Sequence, residues 1–163
     1  MNFFEFMAWL EGSTLGHLMR DTGVWTYAVV NLTHILGVAT LFGSILILDL
    51  RLLGCWKHIP LGALSRPTVA MAALGLLVAA LSGSGLLATK ATEYAGNPFL
   101  AIKFPAIALG LLNVVLLHRS AAWRAHRVRA LSPREESQLR AMGGTSLVCW
   151  LTAISAGRMI GYW

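Results

Sequence analysis

Long apolar stretches alternate with short polar segments along this chain. The apolar stretches cover about residues 23–48, 67–88, 99–118 and 143–162. A helix of about 20 apolar residues crosses the hydrocarbon core of a bilayer, so each stretch is long enough for one crossing. The pattern predicts an all-α fold, a four-helix transmembrane bundle that forms a single integral membrane domain over residues 1–163.

The segment before the first apolar stretch has a helical pattern of its own, over about residues 2–19. Its apolar residues recur at helical spacing, at Phe3, Phe6, Met7 and Leu10. Polar residues occupy the opposite face, an arrangement typical of a helix that lies on a membrane surface. We therefore expect a short N-terminal amphipathic surface helix; a terminus without fixed structure is the alternative.

The composition agrees with a membrane protein. Hydrophobic residues make up 56% of the chain and charged residues only 12%, with a mean hydropathy of +0.66. A soluble domain carries about 25% charged residues, so a soluble fold is excluded. The net charge of +6 would suit nucleic acid in a soluble protein, but in a membrane protein it is better explained by topology, and we expect no nucleic-acid partner.

The basic residues predict the orientation of the bundle. Of the 13 Lys and Arg residues, nine lie in the loops after the first and third stretches and four lie elsewhere. Loops on the cytoplasmic side are enriched in Lys and Arg. The expected location is a bacterial inner (cytoplasmic) membrane, crossed several times, with the N- and C-termini outside, in the periplasm.

His34 is the leading candidate for chemistry. It lies about ten residues inside the first stretch, near the middle of the bilayer at 1.5 Å per residue. A histidine that faces the interior of a helix bundle can ligate haem iron through one ring nitrogen while a neighbour holds the other. Asn31 and Asn113 are candidate neighbours. The alternative is that His34 only joins two helices by a hydrogen bond.

Two cations within the apolar stretches suggest an anionic ligand. Lys103 and Arg158 lie one to two turns below the predicted outer surface, where a charge needs a partner or a route to water. The propionates of a haem would be suitable partners, so we expect both residues to bind them. The alternative is that both side chains extend to lipid headgroups.

In addition to His34, two further histidines are candidate metal ligands. His118 lies near the inner end of the third stretch and could ligate a second haem with Met71 or Met142. His17 precedes the first span and could reach inward, or bind copper weakly with Met7 and Met19.

Several motifs give the chain a resemblance to known proteins. They are His34 to Gly37, Gly43, Asp49 to Gly54, Asn97 to Phe99 with Lys103, and Ala156 to Tyr162. With these motifs the chain resembles an uncharacterised family of small bacterial four-helix membrane proteins. It is more distantly similar to copper-resistance D type proteins and to small di-haem cytochromes b. That resemblance implies that His34 is an axial ligand, although the histidines that would pair with it across helices are missing.

The expected function is therefore haem b binding with electron transfer in the outer half of the bilayer, to a quinone or to a partner subunit. Asn31 or Asn113 would support the ligand or face a quinone. Two alternatives stay open: a structural or assembly subunit of a larger membrane complex or homo-oligomer, and a copper or small-molecule transport protein. Membrane lipid is a partner in every case. Whether the protein is an enzyme is left open.

Overall fold

The computed structural model describes residues 2–163, and its secondary structure there is entirely helical. The helices are α1 (Phe3–Glu11), α2 (Thr14–Asp21), α3 (Val24–Leu53), α4 (Leu61–Thr89), α5 (Ala91–Tyr94), α6 (Pro98–Arg119), α7 (Ala121–Ala125) and α8 (Pro133–Met159), followed by a 3₁₀ turn over Ile160–Tyr162. The all-α prediction is confirmed.

Three of the helices, α3, α4 and α6, are long and apolar enough to cross a membrane. Since they are consecutive long helices of one chain, the protein is a multi-pass membrane protein. The helix α8 is as long, but its first turns are polar. It begins ten residues before the predicted span, because Ser132 and Glu135 form a capping box and Pro133 occupies the first turn.

The long helices pack in the order α4, α3, α8, α6, and α4 touches α6 little within the described part of the chain. Gly37 and Gly75 allow α3 and α4 to approach closely. A Cβ atom at Gly75 would lie 2.4 Å from the Leu41 nitrogen, far inside van der Waals contact. The α3–α4 pair therefore depends on glycine at this crossing.

The bundle has two distinct ends. At one, here called the loop end, buried Trp123 and Leu139 pack with the end of α3, the start of α4 and the end of α6. At the other, called the terminal end, Met7 is buried against Ala91 and Leu100. His34 lies between these ends, within α3.

The N-terminal segment contains two helices, where the sequence predicts one. They part at Gly12 and Ser13, because the Ser13 hydroxyl accepts a hydrogen bond from the Gly16 nitrogen and so starts a new helix. The helices pack against α4 and α5. The Glu11 carboxylate accepts hydrogen bonds from the nitrogen and hydroxyl of Thr92, both of 2.7 Å.

Candidate functional site

His34 is half-buried on α3 and reaches across to α4. Its Nδ1 atom lies 3.0 Å from the Ala79 carbonyl oxygen and 3.2 Å from the Ser82 hydroxyl. A carbonyl oxygen only accepts hydrogen bonds, so Nδ1 carries the proton. The Nε2 atom then keeps its lone pair, and it has no hydrogen-bond partner among residues 2–163. The imidazole is thus held by one nitrogen and available at the other.

Gly83 on α4 provides the surface on which the His34 ring rests. A Cβ atom at Gly83 would lie 2.8 Å from Cε1 and 3.2 Å from Nδ1 of His34. Real Cβ atoms do not come so close to a ring. The absence of a side chain at Gly83 therefore makes room for the imidazole, and the bond to Ala79 fixes its direction.

Lys103 brings a positive charge from α6 toward the same region. Its side chain lies across Gly157 of α8, with Nζ 3.3 Å from where a Cβ at Gly157 would stand. It is near enough to His34 for the two groups to interact electrostatically. Within the described residues the Lys103 ammonium has no carboxylate partner and no hydrogen-bond acceptor. The site thus combines an available imidazole nitrogen with an uncompensated cation.

The remaining cofactor-binding candidates lie in different surroundings. Arg158 is exposed, donates a hydrogen bond to the Tyr162 hydroxyl and stacks 4.6 Å above the Tyr162 ring. Asn31 is half-buried, three residues before His34 on the same helix. Asn113 is buried, and its Nδ2 atom donates to the Met142 carbonyl oxygen at 3.0 Å. Asn113 therefore ties α6 to α8, away from His34.

The other metal-ligand candidates are not brought to His34. The His118 Nδ1 atom donates to the Val114 carbonyl at 2.8 Å, at the loop end of α6. His17 is exposed on α2, with Nδ1 4.0 Å from a carboxylate oxygen of Asp21. Residues 2–163 contain no group of three or more His, Cys, Asp or Glu placed to hold a metal ion.

Sequence reasoning missed the burial of the Asp49 carboxylate. Asp49 is 3% exposed, and its Oδ2 atom has no hydrogen-bond partner in the described chain. The sequence suggested that Asp49 ends the first span. A signal was nevertheless available, because Asp49 shares a helical face with buried Ile45 and Leu52.

Comparison with known protein families gives a match over nearly the whole chain. The model of a family described as a family of unknown function (DUF6644) matches residues 3–163. No curated protein and no solved structure matches the chain. Nothing in these comparisons shows similarity to copper-resistance D type proteins or to cytochromes b.

Proposed function

The chain belongs to the DUF6644 family of unknown function, and we propose that it binds haem b in the membrane and transfers electrons. The observation that carries the proposal is how the His34 ring is bonded at each of its two nitrogen atoms. Its Nδ1–H donates to the Ala79 carbonyl, 3.0 Å away, and its Nε2 lone pair is available. A histidine that ligates a metal through one nitrogen commonly donates its other N–H to a backbone carbonyl.

The surroundings of His34 supply a cation for an anionic ligand. Gly83 lies under the His34 ring and Gly157 under the Lys103 side chain, so the two glycines position these groups. The Lys103 ammonium lacks an anionic partner in the described chain, so it would bind a propionate. Arg158 would bind the second propionate after releasing Tyr162. The iron, when bound, would accept and release one electron.

These residues would supply only one ligand for the haem iron. His118 bonds to Val114 at the loop end, and His17 is exposed beside Asp21, so neither would complete the His34 site. The proposal is therefore a haem with one histidine ligand and an open position. Asn31, half-buried on the helix of His34, is the better candidate to face a quinone, because the Asn113 amide bonds to Met142.

The proposal also includes the membrane topology of the chain. The helix α8 would be the fourth crossing, since it packs between α3 and α6, and α1 with α2 would lie on the outer membrane surface. The loops at the loop end hold most of the basic residues, which supports a cytoplasmic location for these loops, with both termini outside a bacterial inner membrane.

A second candidate function is supported by the same hydrogen bond. The His34 to Ala79 contact joins α3 to α4, and interhelical bonds of this kind stabilise membrane bundles without any cofactor. On that reading the protein is a structural subunit of a larger complex. The haem function requires the Nε2 atom of His34 as a ligand, whereas the structural function requires only the bond from Nδ1 to Ala79.

Three variants separate these functions. His34→Gln keeps a donor for Ala79 but loses the imidazole, His34→Ala loses both, and His58→Ala is a matched control at an exposed histidine. The wild type and each variant would be purified in detergent from haem-supplemented cells. The absorption spectrum of each protein would be recorded in the oxidised state, after reduction with dithionite, and after addition of CO. We expect a Soret band in the wild type and control, a CO shift, and no band in either His34 variant.

Other outcomes contradict the haem proposal. A colourless wild type whose thermal stability falls in His34→Ala but not in His34→Gln would support the structural role instead. A Soret band of equal intensity in all variants would show that His34 is not the ligand.

A further inference from the structure

A groove at the loop end is lined by arginines. It has a volume of about 730 Å³ and lies between the end of α3, the first turns of α4 and the segment that joins α7 to α8. Four arginines contribute to its wall: Arg51, Arg66, Arg127 and Arg129. The groove is thus a candidate site for an anion.

Most of the acidic side chains near the groove are already paired. Arg129 binds Glu135 through two hydrogen bonds, of 2.9 and 2.6 Å. Glu136, which also lines the groove, accepts a hydrogen bond from Arg140 at 3.3 Å. These pairs leave the other three arginines of the wall without a carboxylate.

Those three arginines differ in how firmly they are held. Arg51 donates to the backbone carbonyls of Ile59 and Lys57, at 2.9 and 3.4 Å. Carbonyls orient the guanidinium but do not neutralise it. Arg66 and Arg127 are exposed and have neither an ion pair nor a hydrogen bond from their side chains within residues 2–163. The groove therefore combines one fixed cation with two cations that are free to close on a ligand.

The backbone adds to the positive potential. The helix α4 begins beside Pro60 in the groove wall, and no side chain caps its first turn. The N-terminal end of a helix carries a partial positive charge, and its free N–H groups bind phosphate oxygens. This feature supports the arginines, which are the main recognition groups.

The position of the groove limits its ligand. The apolar helices α3 and α6 end at Leu53 and Arg119, and α4 begins at Leu61, all at the loop end. The groove thus lies where the apolar helices end, at the level of lipid headgroups. Exposed Pro60 and Pro67 and half-buried Leu131 line it alongside the arginines, so it presents apolar as well as cationic surface.

We propose that this arginine groove binds the phosphate headgroup of an anionic phospholipid. Guanidinium groups bind phosphate oxygens in pairs, and a lipid held at the membrane boundary would supply both the phosphate and acyl chains for the apolar wall. The site lies at the opposite end of the bundle from Lys103 and does not depend on haem binding.

The test compares lipid binding by matched charge variants. The double variant Arg66→Gln with Arg127→Gln removes the two free cations of the groove. The control, Arg119→Gln with Arg124→Gln, removes the same charge at the same end from residues that do not line the groove. Binding of phosphatidylglycerol and of phosphatidylcholine to the purified full chain would be titrated by native mass spectrometry, and inorganic phosphate would be titrated separately.

We expect the wild type and the control to prefer phosphatidylglycerol over phosphatidylcholine. The groove variant should bind phosphatidylglycerol at least about tenfold more weakly, since each basic residue near a membrane surface contributes appreciably to binding. Equal losses in both double variants would show that overall charge, not the groove, attracts lipid. Binding of inorganic phosphate without preference for phosphatidylglycerol would assign the groove to a free anion, and no binding would refute the site.

Discussion

Gly83 of α4 lies directly against the imidazole of His34 on α3, where a Cβ atom would come within 2.8 Å of Cε1. The ring is also held by the bond from Nδ1 to the Ala79 carbonyl of the same helix, α4. Because α4 supplies both the surface and the acceptor, the orientation of His34 depends on the packing of α4 against α3. Any change at Gly83 must move the ring or separate the helices.

We predict that Gly83→Ala displaces His34. The methyl group would overlap the imidazole, and relieving such overpacking costs about 1–3 kcal/mol. The measurement is the thermal midpoint in detergent, together with the Soret band if haem is bound. Gly43→Ala is the control, because a Cβ atom there meets nothing within 4 Å and alanine favours a helix. Equal midpoints for the two variants would contradict the tight contact.

Gly75 gives a stronger prediction for the α3–α4 crossing. A Cβ atom at this position would meet backbone atoms, the Leu41 nitrogen at 2.4 Å and the Gly37 oxygen at 2.8 Å. Backbone cannot rotate away as a side chain can, so Gly75→Ala should lower the thermal midpoint more than Gly83→Ala. Gly62→Ala, which meets nothing within 4 Å near the start of α4, should leave it nearly unchanged.

The sequence predicted the apolar helices well but not all of their ends. Asp49 and Arg51 suggested an end near residue 48, yet α3 continues to Leu53. The reason is that Asp49 is buried and Arg51 turns back to the Ile59 carbonyl. Pro67 suggested the start of the second span, but α4 begins at Leu61 and contains Pro67. Hydropathy locates an apolar core, whereas capping and local hydrogen bonds decide where a helix ends.

The site was predictable in part. His34 was identified from the sequence because a histidine within an apolar stretch is rare and costly. Its acceptor, the Ala79 carbonyl, was not predictable, since every residue has a carbonyl and only packing selects one. For the same reason Asn113, expected near His34, instead bonds to the Met142 carbonyl.

Asp49 supplies a prediction about stability. Its side chain is buried, and Oδ2 lacks a partner within residues 2–163. A hydrogen bond with Ser146 offsets only part of the cost of burying the Asp49 carboxylate, so Asp49→Asn should raise the thermal midpoint or leave it unchanged at neutral pH. Asp49→Lys should lower it strongly. If Asp49→Asn were as destabilising as the lysine variant, Asp49 would be held by a cationic partner that this structure does not contain.

Because His126 is half-buried at the loop end, we predict that the stability of the protein depends on pH. Burial lowers the pKa of the His126 imidazole; a hydrogen bond to the Trp123 backbone opposes this effect and the nearby Arg127 charge adds to it, so the pKa is lowered on balance. The folded protein thus prefers neutral His126, so its contribution to stability is full above about pH 6.5 and decreases as the pH falls through the lowered pKa. Midpoints measured between pH 8 and 5 should decline less in His126→Gln than in the wild type. Parallel curves would contradict this assignment.

The last prediction concerns how the N-terminal helices are attached. The Glu11 carboxylate accepts two hydrogen bonds from Thr92, and these bonds lower the pKa of Glu11. The attachment should therefore be complete above about pH 4.5 and weaken as the pH falls through the lowered pKa. Glu11→Gln replaces the carboxylate by a neutral amide oxygen, which is a weaker acceptor for the two bonds from Thr92, so this variant should weaken the attachment at neutral pH.

Hydrogen exchange checks this attachment. Amides in α1 and α2 should exchange faster in Glu11→Gln, while those of α3 keep their protection, because the contact joins the N-terminal segment to Thr92 of α5 and does not involve α3. Glu93→Gln is the control, since Glu93 pairs with Lys90 on the exposed surface, 3.1 Å away, and exposed pairs of this kind contribute little. Should both variants exchange alike, the N-terminal helices would be held by the burial of Met7 and Met19 rather than by Glu11.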